Sequence, residues 1–124
     1  MKLGEAISRA DEMTPNSCSK EEKIKWLSTL DGLVKEQIID THTDSDKVLF
    51  SGYDETTDTQ AQLLIPAPFD MVYVHWLEAQ IHYANGEIKK YNNAVEVFNT
   101  ELDAYKRFYN RCHMPIGKGR RFLF

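Results

Sequence analysis

Cysteine is scarce: the chain has two in 124 residues, alongside four prolines and six glycines. Thiols as far apart as Cys18 and Cys112 form neither a disulfide framework nor a zinc motif, so both are expected to be free. No apolar run approaches the roughly 18 residues that a membrane-crossing helix needs. The opening Met1-Lys2-Leu3-Gly4-Glu5 lacks the apolar core of a signal peptide, and a soluble intracellular product is expected. A glycine-rich phosphate loop and a Gly-x-Ser-x-Gly elbow are both missing. Nothing in the chain gives catalysis a foothold, and the expectation is a protein that is not an enzyme and carries no cofactor. An apolar content of 42% with 27% charged residues fits a folded domain rather than a disordered chain. The length fits one domain.

Charge is unevenly placed. Residues 106–124 hold Lys106, Arg107, Arg111, Lys118, Arg120 and Arg121 and no acid, which makes +6 against −10 for the preceding 105 residues. A helix dipole favours cations near its C-terminus, but that accounts for about two such charges, not six. The surplus points to an anionic partner: an acidic protein surface, such as the 40–58 segment of a neighbouring copy, or DNA phosphate. Phe108, Tyr109 and Phe122 would allow nucleic-acid contact. A sequence pI near 5.5 argues against a free-standing DNA binder.

Periodicity predicts an all-α domain of about four helices over residues 1–113, followed by a basic-aromatic tail, 114–124. Leu3, Ala6, Ile7 and Ala10 mark a first helix over residues 2–12, which Thr14-Pro15-Asn16-Ser17 stops. Ser19 and Glu22 form a capping box for a second helix. Its apolar face, Trp26, Leu27, Leu30, Leu33, Val34 and Ile38, runs to about Ile39. Gly32 inside it predicts a close contact, since glycine there costs about 1 kcal/mol against alanine. Residues 40–62 read as a long acidic loop with Asp40, Asp44, Asp46, Asp54, Glu55 and Asp58; brief pairing of 47–50 with 62–65 is expected. A third helix over residues 68–85 starts at Pro68 and is the most buried. Phe69, Val72, Tyr73, Trp76, Leu77 and Ala84 form its face, Val74 and Ile81 widen it, and Gly86 ends it in the left-handed conformation.

The last helix, Ile88 to Cys112, carries the most regular pattern. Ile88, Tyr91, Val95, Phe98, Leu102, Tyr105, Tyr109 and Cys112 repeat at alternating steps of three and four, the a/d seam of a heptad. At 1.5 Å per residue the helix is about 37 Å long. It should pair antiparallel with the third helix, its seam packed mainly within one subunit.

Three constellations invite chemistry. His75, Glu78 and His82 share a stripe of the third helix at metal-ligand spacing, but the long helix offers only Glu96, Glu101 and Asp103 opposite. A solvated or subunit-facing polar stripe is expected, with no metal. Asp44-Ser45-Asp46 starts like a calcium loop, but Leu49 stands where the glycine turn must be. Cys112-His113 has no partner acid tied to it, and a buried thiol is expected at that seam position.

Several stretches together resemble one family. They are Ser-x-Glu-Glu-Lys-Ile-Lys-Trp-Leu-x-x-Leu-Asp at 19–31, Leu-Leu-Ile-Pro-Ala-Pro-Phe-Asp-x-Val-Tyr at 63–73, and Tyr-Asn-Asn-Ala at 91–94 with Phe98-Asn99. The last is Tyr109-x-Arg111-x-His113-Met114-Pro115. The chain resembles the small helical head–tail connector (head-completion or adaptor) proteins of tailed phages and prophages of Gram-positive bacteria. That resemblance implies a virion neck protein, made in the host cytoplasm, which assembles as a ring between portal and tail. A ring needs heterologous contacts. Asp44, Asp46, Asp54, Glu55 and Asp58 on one side, and Arg107, Arg111, Lys118, Arg120 and Arg121 on the other, are the candidate complementary patches. Residues 40–58 and 106–124 are then expected to order on assembly. The competing expectation is a small phage-encoded accessory module that binds DNA or protein.

Overall fold

The computed structural model describes residues 1–42 and 50–113. Four helices make the domain: α1 (Leu3–Met13), α2 (Lys20–Val34), α3 (Met71–Ala84) and α4 (Ile88–Cys112), with a π-helical turn, Lys35–Ile39, extending α2. The predicted helix order and the all-α class stand. One antiparallel bridge pairs Lys2 with Gln62.

Each helix buries what its spacing marks. Leu3, Ala6, Ile7 and Ala10 of α1 are buried. Leu27, Leu30, Val34 and Ile38 bury the inner face of α2 and its π-helical extension, whereas Leu33 is 41% exposed. Ser19 caps α2 as its sequence predicts, its hydroxyl accepting the Glu22 N–H at 3.2 Å. The expected close contact at Gly32 is absent. A methyl there would meet Phe50 at 3.9 Å, an ordinary van der Waals distance.

α3 is the hub. Val72, Tyr73, Val74, Leu77, Ala79 and Ile81 are buried, and α3 packs against α1, α2 and α4. It begins at Met71 rather than at Pro68. Residues 66–69 form a turn instead, with the Phe69 N–H donating to the Pro66 carbonyl at 3.0 Å. Ala84 is exposed and so leaves the predicted face. Gly86 takes φ +75° as expected and turns the chain into α4.

The seam of α4 is a core element over part of its length. Phe98, Tyr105 and Tyr109 are buried and Leu102 packs beside them. Tyr91 and Val95 are half-buried, while Ile88 and Cys112 are exposed. A straight helix drifts by about 20° per heptad against a strict seven-residue repeat. The two ends of the seam therefore rotate off the face that α3 covers, and Ala94 is buried instead. Cys112 is not the buried thiol that its register implies.

The start of α1 is fixed by a distant segment. Leu3 N–H donates to Ala61 O and Gly4 N–H to Thr59 O, both at 2.9 Å, and Leu63 N–H donates to Met1 O at 3.0 Å. First-turn N–H groups have no partner within their own helix, so residues 59–63 satisfy donors of α1. A Cβ on Gly4 would lie 3.0 Å from Thr59 Cβ, tighter than ordinary contact, which favours glycine at this close approach. The described end of the expected 62–65 pairing thus joins the N-terminus; residues 47–49 lie outside the described residues.

Candidate interaction surfaces and the buried polar network

Asp54, Glu55 and Asp58 follow Tyr53 on the surface beside α2. Two of them serve their own loop. The Asp54 carboxylate accepts the Thr56 N–H at 2.9 Å and the Thr56 hydroxyl at 2.5 Å. That hydroxyl, then the N–H, hold Asp54 below the usual carboxylate range. Asp58 accepts the Gln60 N–H at 2.9 Å. Both are side-chain turns of the kind Asp favours, and they order residues 54–60 in the single chain. Glu55 differs: its carboxyl lies against that of Glu21, and this contact, with the like charge, raises its proton affinity. Asp44 and Asp46 lie outside the described residues.

At the far end of the bundle, Lys106, Arg107 and Arg111 are exposed. Arg107 Nη2 lies 2.8 Å from Asp103 Oδ2, one turn back on the same helix. Lys118, Arg120 and Arg121 lie outside the described residues. α4 is already helical through Cys112 in the single chain, so residues 106–112 do not wait for assembly.

What sets the two patches apart is α2. Glu21 sits in its first turn. At the other end, beyond the π-helical turn, His42 is 1% exposed. Its Nδ1–H donates to Ile38 O at 2.6 Å, and its Nε2 faces the Asn110 side-chain amide at 2.8 Å. The His42 ring also meets Tyr109 edge-on, and His113 stacks on Tyr109 at 3.9 Å. That knot ties the end of α2 to the end of α4, one residue from Arg111. About 21 residues of helix at 1.5 Å each put the Glu21–Glu55 pair roughly 30 Å from the basic end. The acidic and basic groups that are described do not meet within one copy.

The His75–Glu78–His82 stripe lines a surface groove, partly open to solvent. All three are half-buried between α3 and α4. His75 Nδ1 is 2.7 Å from Glu101 Oε1, and His82 Nδ1 is 3.4 Å from Glu87 Oε1. His75 Nδ1 and Glu78 Oε1 are nevertheless buried atoms without a hydrogen-bond partner; the His75–Glu101 contact has an ion pair's distance without a hydrogen bond's direction. Among the described residues, no three His, Cys, Asp or Glu side chains stand where they could hold one metal ion.

Sequence reasoning missed the most constrained polar group. Asp31 is completely buried. Its carboxylate accepts the Tyr53 hydroxyl at 2.5 Å, the Tyr73 hydroxyl at 2.7 Å and the Leu64 N–H at 3.1 Å. Tyr73 oxygen in turn accepts the Ile65 N–H at 2.6 Å. Burial pushes the Asp31 carboxyl above its ordinary value and outweighs the three donors, which act the other way. Burial, with the neighbouring carboxylate, pushes both tyrosine hydroxyls above their ordinary pKa, so that they keep their protons. The available signal was an acid at position 31 between Leu27, Leu30 and Val34, inside the apolar stripe. Lys23 is likewise buried, its ammonium 2.6 Å from Asp11. Burial works against the Asp11 carboxylate there, but Lys23 and Asn16 outweigh it and hold Asp11 low.

The Asp31 network fastens residues 53–65 to α2 and α3. Compared with models of known families, with curated proteins and with solved structures, the chain matches none.

Proposed function

We propose that this chain is a structural subunit of a head–tail connector, joining portal and tail in a phage or prophage neck as a ring of identical copies, with no enzymatic role. The sequence resemblance raises the reading, and the separation of charge supports it. An acidic pair at one end of α2 and a basic helix end roughly 30 Å away suit head-to-tail association, in which one patch meets a different patch on the next copy. Exposed ion pairs contribute only about 0.2–1 kcal/mol each, so charge would set orientation and register more than raw affinity. Portal and tail proteins would cover the ring's two faces, and packaged DNA would pass arginines facing the channel.

Native mass spectrometry over a concentration series at low and moderate salt tests this. A discrete ring that salt loosens is expected. Arg111→Glu should weaken it several-fold, and Glu55→Lys on the same chain should restore part of the loss. A strict monomer that binds double-stranded DNA with a steep salt dependence would instead establish the accessory-module reading. Reversing Arg120 and Arg121 separates the tail's two roles: a weakened ring places them between copies, whereas an intact ring with poor DNA retention places them in the channel.

A further inference from the structure

The groove between α3 and α4 has a volume of about 290 Å³ and is lined by His75, Glu78 and His82 on one side and by Asn93, Ala94 and Val97 on the other. That is about ten times a water molecule's share of liquid, room for one long side chain. A second hollow, of about 460 Å³, shares Glu78, His82 and Lys90 with it and reaches Met13 and Pro15. Glu78 therefore borders both. Ala94 is buried and Val97 is 44% exposed, an apolar wall of the kind that the stem of a long charged side chain covers.

Acid outweighs base here. Glu87 is met by Lys90 at 2.8 Å and by His82 at 3.4 Å, and Glu101 by His75 at 2.7 Å. Glu78 has no such partner among the described residues, and its Oε1 is a buried acceptor without a donor. An unsatisfied buried group calls for a cause, and local costs of this kind are expected where residues serve a partner rather than the fold. What the groove lacks is a cation that donates hydrogen bonds. A guanidinium suits it better than an ammonium, because its planar fork matches one carboxylate and its face can lie against an imidazole ring. The chain's own described arginines do not supply it. Arg9 lies 2.7 Å from Glu5 and Arg107 2.8 Å from Asp103. Arg111 is ten residues past Glu101, about 15 Å farther along α4.

We propose that this groove receives an arginine side chain of a different protein, its guanidinium on the Glu78 carboxylate and its stem along Ala94 and Val97. Nothing in this rests on the connector reading, in which Arg111 meets the acidic pair at the end of α2.

Nuclear magnetic resonance of the labelled full chain, titrated with a capped Gly-Arg-Gly peptide, tests it; the same peptide with citrulline, the neutral isostere of arginine, is the control. The Asn93 side-chain amide and the Ala94 and Val97 methyl signals should shift and saturate with arginine. Citrulline should bind about tenfold more weakly, and Glu78→Gln, which keeps the shape and removes the charge, should weaken arginine binding about as much. Lys90→Met, at an exposed position, should instead strengthen it by removing the competing ammonium. The absence of saturable shifts, or equal binding of the two peptides, would overturn the proposal. So would arginine binding that ignores both substitutions. Groove signals that move as the chain alone is concentrated would put Arg111 of a second copy in the groove and overturn the choice of partner.

Discussion

Two polar clusters lie inside the same bundle, both against α3, and they are built differently. Around Asp31 each partner is in place: two tyrosine hydroxyls and one backbone N–H reach the carboxylate, and the Tyr73 oxygen is used a second time by Ile65. Around His75 and Glu78 the side chains are packed between helices, yet Glu78 Oε1 lacks a hydrogen-bond partner and His75 Nδ1 meets only the Glu101 carboxylate, out of hydrogen-bond direction. A buried polar group with partners fixes structure; one without them costs about 1–3 kcal/mol. The first cluster joins elements far apart in sequence, α2, α3 and residues 53–65. The second stands between α3 and α4, an antiparallel pair joined by a short turn and held by aromatic contacts such as Trp76–Phe98, at 5.0 Å between ring centroids. A locally paired helix hairpin can carry unsatisfied groups that a long-range loop attachment cannot.

The largest effect should come from breaking the satisfied cluster. Asp31→Ala strands the Leu64 N–H and leaves two tyrosine hydroxyls without their acceptor. The expected loss is about 3–5 kcal/mol, since each buried donor left without an acceptor costs about 1–3 kcal/mol. The denaturant midpoint measures it, and a loss under about 1 kcal/mol would show that water replaces the carboxylate freely.

A smaller effect should appear with pH. The Asp31 carboxyl binds its proton more tightly folded than unfolded. Its contribution to stability is therefore complete below the ordinary aspartate value of 3.8 and declines as pH rises through the folded value. Asp31→Asn cannot titrate, so the stability of wild type relative to this variant should fall from pH 4 towards neutrality. Paired urea melts across that range check the sign. A relative stability that rises with pH would mean that the three donors outweigh burial.

What the sequence disclosed, and what it withheld, follow from the range of each interaction. Helix spacing is local, so Leu3-Ala6-Ile7-Ala10, the Ser19 cap, Gly86 and the Phe98-to-Tyr109 part of the α4 seam could all be read directly. Pairing between Lys2 and Gln62 is a contact between segments sixty residues apart, with no repeating pattern to announce it. Pro68 suits a helix start by itself, but the turn on Pro66 delays the helix to Met71. Asp31 sits in a motif that reads as packing, and its tyrosine partners lie 22 and 42 positions away. The candidate patches were legible as charge alone. Composition could not show that Asp54 and Asp58 are engaged in turns while Glu55 faces Glu21.

The smallest expected effect tests the other side of the comparison. Glu78→Met keeps length and helix propensity while removing the buried oxygen that has no partner. If that oxygen is an uncompensated cost, the variant should gain about 0.5–1 kcal/mol and its thermal midpoint should rise by a few degrees. The exposed part of the side chain loses little, because Glu78 makes no ion pair among the described residues. A midpoint that falls instead would mean that a buried water bridges Glu78 to His75 or His82, as polar cavities of sufficient size allow. The α3–α4 cluster would then resemble the one around Asp31, a satisfied network whose last member is solvent, and the contrast between the two would be one of partner rather than of satisfaction.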